Sequence, residues 1–141
     1  PEQFEDELLA MFIWLWSLKD HLKEAYLAKG LDAKIIESIV NNSFALQLVS
    51  DIANRAKHGT LRNSRSGKFA ELTDVGFRIP LSAVAKMTVG AFSVETDISK
   101  PNDVELHASI KVIDGVSYIA FAVLEQAQSE WESKSLPILA N

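Results

Sequence analysis

The residues best suited to chemistry sit in one octet, Asp51-Ile-Ala-Asn54-Arg55-Ala-Lys57-His58. It joins an acid, an amide, a guanidinium and an imidazole, groups that hold an anion and move a proton near neutral pH. On a helix, Gln47, Asp51, Asn54 and His58 fall at i, i+4, i+7 and i+11, so they form one stripe with Arg55 at its flank. Ala45, Val49, Ile52 and Ala56 form the opposite, apolar stripe. Two readings stay open. In one, His58 is the acid/base of a catalytic or anion-binding site completed by Asn54, Arg55 and Asp51. In the other, the stripe is a solvated helix face whose cationic end suits the helix dipole.

The neighbouring charge sharpens the first reading. Arg55, Lys57, Arg62, Arg65 and Lys68 place 5 of the 14 Lys+Arg within 14 residues, and no acid falls between Asp51 and Glu71. The rest of the chain keeps 9 basic residues against 19 acidic ones. The net charge of −5 is therefore an acidic body with one basic segment, which excludes a protein that coats nucleic acid with its whole surface. Lys57, Arg62, Arg65 and Lys68 are candidates for holding an RNA backbone through charge-assisted hydrogen bonds. A solvated loop is the competing reading. Asp20 and His21 form a second polar pair, and if they face Asp51 and His58 they join Gln47 in a supporting network. The same four residues are of metal-ligating type, but the His-x-x-x-His or Glu-x-x-His spacing of helical metal sites is absent, so neither a metal nor a cofactor is expected. His107 alternates onto the polar face of a strand and is expected to be exposed. No glycine-rich phosphate loop, serine nucleophile elbow or dinucleotide fingerprint occurs.

The elements that position these residues follow from periodicity. The 141 residues, 48% hydrophobic, suit one domain over 1–141. The absence of cysteine excludes disulfides, thiolate nucleophiles and zinc-thiolate sites, and it fits the cytoplasm. Leu8 to Leu18 carries no charge, but a membrane span needs roughly 20 apolar residues, and the acidic flank Glu5-Asp6-Glu7 is wrong for a signal peptide. A first helix is predicted from about Gln3 to Ala28, ended by Gly30. Trp14 and Trp16 point roughly 160° apart on it, so both faces need cover. That predicts a place in a bundle or a homodimer. Asp32 starts a second helix, Asn41-Asn42-Ser43 breaks it, and Ser43 caps a third from Phe44 to about Lys57, closed by Gly59. Residues 59–75 read as loop. Val104 to Val112 alternates as a half-buried strand, paired in a hairpin with Ala85–Asp97 (Met87, Thr88, Val89, Phe92, Val94, Thr96) across Ser99–Asp103. Asp114-Gly115 turns the chain into a last helix from about Ser117 to Ser133, which ends before Leu136-Pro137. The fold class is mainly α within α+β: a helical bundle with a small antiparallel β-hairpin before the C-terminal helix.

Asn54-x-x-x-His58 is similar to the signature of the HEPN superfamily, small helical domains of prokaryotic defence, toxin and RNA-processing systems. Its common form is Arg-Asn-x-x-x-His, and Ala53 stands here at the Arg position. Trp16-Ser17-Leu18-Lys19-Asp20 and Asp51 to His58 also resemble the W-x-L-K-D and D-x-A-N-x-x-K-H segments of HEPN-like bacterial proteins. The likeness implies a HEPN-like bundle. It also implies a homodimer and a metal-independent endoribonuclease, with His58 handling a proton while an arginine steadies the phosphate. Other members have lost activity, so a non-catalytic homodimeric protein-interaction or regulatory module is the alternative.

Overall fold

A 27-residue helix dominates the fold in a computed structural model that describes residues 2–79, 84–89, 91, 94–98 and 100–141. This helix, α1, spans Glu2–Ala28 and buries Leu8, Phe12, Leu15, Trp16, Leu22 and Tyr26. Glu2 and Glu5 in its first turn suit the positive helix end. Gly30 follows with φ of 73°, the left-handed turn the sequence predicts. Helix α2 (Lys34–Asn41) and helix α3 (Phe44–His58) are separated at the expected break. Ser43 caps α3 by accepting the Leu46 amide at 3.2 Å, and Gly59 closes it with φ of 74°.

Among the described residues the remaining elements are β1 (Glu71–Arg78), β2 (Val84–Val89), β3 (Val94–Ile98), a short 3-10 helix (Pro101–Asp103), β4 (Glu105–Lys111), β5 (Ser117–Ile119), α4 (Ala120–Lys134) and α5 (Leu136–Ala140). The class is α+β. One antiparallel sheet has the order β1-β4-β5, and β2 and β3 pair as a separate hairpin. The inward residues Ala108 and Ile110 of β4, and Val112 just beyond it, are buried against the helices.

The sheet corrects the predicted pairing. The segment around Ala85–Asp97 folds back on itself, and β4 pairs instead with β1, whose first residues fell in the predicted 59–75 loop. The cause is a bulge between Thr73 and Gly76, with Asp74 at φ of 53°. It shifts parity, so Leu72 faces Ile110 while Phe77 faces Leu106. A strand whose inward residues change from even to odd shows no two-residue period. The last helix also starts later than predicted, because residues 117–119 belong to β5. That helix stops at Lys134, before Leu136-Pro137 as predicted, and Leu136-Pro137 then opens the short α5, since proline is tolerated in a first helical turn. Phe92 and Ser99, expected in the hairpin and its turn, lie outside the described residues.

Two buried hydrogen bonds fasten α1 to the C-terminal helices. Tyr26 Oη donates to the Ser135 carbonyl at 2.8 Å, and Trp131 Nε1 donates to the Leu15 carbonyl at 3.1 Å. Among the described residues no helix is long and apolar enough to cross a membrane.

Candidate functional site

Helix α3 runs through the middle of the molecule. Leu46, Leu48, Val49, Ser50, Asp51, Ile52 and Ala53 are all buried, so its central turns have no wet stripe. The polar stripe predicted from Gln47 to His58 splits into three parts with different tasks. Gln47 Nε2 donates to the carbonyls of Val40 and Asn41, each at 3.0 Å, and so satisfies the open end of α2. Asp51 is 1% exposed. The last turn, with Asn54 half-buried and His58 exposed, opens to solvent. Ala56, predicted inward, is exposed.

Asp51 organises the segment between α3 and β1. Its Oδ2 accepts the hydroxyls of Ser64 and Ser66, each at 2.6 Å, and the Ala70 amide at 3.2 Å, while Oδ1 accepts the Arg65 amide at 2.9 Å. Four donors surround one buried carboxylate, so the group is fully satisfied. Arg55 braces the same segment: Nε and Nη2 donate to the carbonyls of Ala70 and Phe69 at 3.2 and 3.3 Å. Phe69 is held there at φ of 51°, a conformation that costs a non-glycine residue about 1–2 kcal/mol.

The clamped segment curls beside the end of α3 and leaves an open cleft of about 520 Å³ lined by Asn54, His58, Thr60, Leu61, Arg62 and Asn63. His58 is exposed at its edge, and Lys57 is exposed beside it. The cleft thus offers an imidazole, a guanidinium, two amides and a hydroxyl. Asn54 Nδ2 donates to Ser50 Oγ at 3.3 Å, which leaves its carbonyl oxygen for a ligand.

The remaining predicted site residues lie elsewhere. Arg65 forms an ion pair with Glu37 at 2.9 Å and lies 5.1 Å from the Trp16 ring centroid. Lys23 bonds the other Glu37 oxygen, and Lys19 stacks 4.6 Å from the same Trp16 ring. The Lys23 hydrogen bond, and then the Arg65 one, hold the Glu37 carboxyl down at about 2 against desolvation. Burial lowers the Lys19 ammonium below its ordinary value. Lys68 pairs with Asp114 at 3.0 Å. Asp20 and His21 are exposed on α1, with Asp20 3.9 Å from Lys19, so the network expected to unite them with Asp51 and His58 does not form. Asp51 draws its donors from the serine segment instead.

The sequence reading missed Ser64, Ser66, Thr60 and Asn63. A signal for the serines existed: an aspartate flanked by Ile52 and Ala53 needs donors, and Ser-Arg-Ser supplies them. His107, expected to be freely exposed, is half-buried over Gly76 with Nδ1 covered. Among the described residues no group of three His, Asp or Glu side chains could hold a metal ion. No family model, curated protein or solved structure matches this chain.

Proposed function

We propose that the cleft beside His58 binds an RNA phosphodiester, in a HEPN-like domain working in the cytoplasm. The observation that supports this reading is the meeting of Asn54, His58 and Arg62 around one open cavity, with Lys57 exposed on the same last turn of α3. Arg62 and Lys57 neutralise the phosphate, Asn54 offers its amide oxygen to a base or sugar hydroxyl, and His58 takes the proton of the 2′-hydroxyl as its oxygen bonds phosphorus and the P–O5′ bond breaks, the leaving 5′-oxygen taking a proton from water. No arginine is possible at position 53 in this packing, because Ala53 is 0% exposed within the core. Arg55 is committed to the Ala70 and Phe69 carbonyls, so the phosphate anchor in this reading is Arg62.

The test is binding and cleavage of a short single-stranded RNA in the presence of a chelator. Affinity should fall with rising salt, and Arg62→Ala should reduce both the affinity and the salt dependence. His58→Ala should abolish cleavage while leaving the melting temperature unchanged. Wild-type behaviour in both variants overturns the assignment. A second reading, a non-catalytic interaction module, draws support from Asp51 and Arg55, whose side chains are spent on bracing the chain. It expects no RNA cleavage by the wild-type protein.

A further inference from the structure

Helices α1 and α4 leave an apolar groove between them. Two cavities of about 290 and 250 Å³ open there, and Trp14, Leu15 and Gln128 line both. The first reaches Ala10 and Met11, the second Leu18 and Leu22, so Trp14 stands as a ridge between two hollows. Trp14 is 64% exposed and Met11 52% exposed, while Trp16 and Trp131 are buried. Along α1 the two hollows are centred about five residues apart, roughly 7 Å at the helical rise. Side chains at i and i+4 of a second helix are spaced by about 6 Å, so one docked helix can fill both.

The charge around the hollows selects the occupant. Glu125, Gln128 and Glu132 fall at i, i+3 and i+7, an exposed stripe along α4, and Glu132 lines the second cavity. Glu7, exposed one turn before Ala10 and Met11, stands on the α1 side. Among the described residues no cationic side chain lies within 4.0 Å of these three carboxylates. Glu7 accepts the Gln3 amide at 3.3 Å and Glu132 the Gln128 amide at 2.9 Å, neutral bonds that leave both charges in place. Lys134 is spent on Glu130, and Lys29 on the Leu139 carbonyl. His21 is exposed on the same flank, one basic side chain against three carboxylates. An apolar floor, an aromatic ridge and carboxylates on both banks fit a helix whose apolar stripe is bordered by lysines or arginines. A second copy of this chain would set the same carboxylate rims against each other, and anionic lipid would meet the same repulsion. We propose that the α1–α4 groove docks a basic amphipathic helix of another protein, with two apolar anchors one turn apart on either side of Trp14.

Three synthetic peptides of about 18 residues, five helical turns and free of tryptophan, test the proposal. One has leucines at i, i+3 and i+4 spacing and lysines elsewhere, the second carries glutamates in place of the lysines, and the third scrambles the first. Trp14 is the exposed tryptophan of the three, so docking should shift the emission of the full chain to the blue. The leucine–lysine helix should saturate at one per chain and bind more weakly as salt rises, and the other two should not bind. Anisotropy of the labelled peptide should show Trp14→Ala weakening binding at least about tenfold, since buried aromatic anchors dominate such interfaces. Glu125→Lys with Glu132→Lys should also weaken it about tenfold and flatten the salt dependence. Both variants should keep the wild-type circular dichroism spectrum, because the altered side chains are exposed. Equal binding of the scrambled peptide overturns the proposal, as does a Trp14→Ala variant that binds like the wild type. A blue shift on phosphatidylglycerol vesicles without peptide binding gives the groove to lipid and overturns it too. So does a mass near twice 15.6 kDa that Trp14→Ala abolishes, which gives it to a second copy. None of these outcomes depends on whether the cleft beside His58 binds RNA.

Discussion

At the scale of single residues, the octet was chemically legible and functionally divided. Its acid, amide and imidazole types stood out, but a helical stripe gives only angle, not what covers that angle. The chain between α3 and β1 returns over Asp51 and leaves Asn54 and His58 open, and no periodicity announces where a loop returns. Removing the Asp51 carboxylate strands two hydroxyls and two amides. Asp51→Ala should cost about 2–4 kcal/mol, read by urea unfolding, with Asp51→Asn recovering part of it. A loss within about 0.5 kcal/mol contradicts the clamp. Glu37 gives a pH signature. Its carboxyl is held at about 2, against an ordinary 4.5, by Lys23 and then Arg65. A depressed carboxylate stabilises the fold above its unfolded value and loses that contribution as pH falls from 4.5 toward 2. Thermal melts should therefore show wild type above Glu37→Gln at pH 6, with the gap closing across that acid window. A gap that stays constant across the window rules out the ion pairs as its source.

Among elements, the three N-terminal helices were readable because the 3.6-residue period, the caps and the glycines agree with one another. The strands were readable only where the two-residue period survives. It survives in β4, and the bulge erases it in β1. At β5 the spacing of Tyr118, Phe121 and Leu124 continues a helical period backwards into three residues that pair as a strand, so the sequence pointed to a longer helix. The bulge places Gly76 opposite His107. A Cβ on Gly76 would lie 3.2 Å from His107 Cε1 and 3.5 Å from Nε2. Gly76→Ala should destabilise the fold by about 1 kcal/mol in the wild type and by less when His107 is also alanine. Equal costs in both backgrounds would place the effect elsewhere. This pairing was invisible in the sequence, where His107 marks only the polar side of an alternating strand.

For the molecule as a whole, the two ends of the chain hold each other. The bonds from Tyr26 to Ser135 and from Trp131 to Leu15 span 109 and 116 residues. Trp131→Phe keeps most of the buried ring but removes the second donor from the Leu15 carbonyl, which keeps its helical amide partner, and should cost about 0.5–1.5 kcal/mol in urea unfolding. No loss there means the indole bond adds nothing to the fold. The buried residues of α1, α3, α4 and the sheet form one core. The Asp51 clamp has a further consequence, for how the protein meets proteases. Arg62, Arg65 and Lys68 are three trypsin sites in a stretch rich in glycine and serine, the composition in which nicking concentrates. Trypsin must draw several residues into extended form, and here that means pulling Arg65 and Ala70 off Asp51 and the Lys68 carbonyl off the Ile113 amide. The native chain should resist cutting after Arg65 and Lys68, and Asp51→Ala should be nicked there first. One buried carboxylate is thus a lock on the segment that sequence alone marks as the easiest to cut.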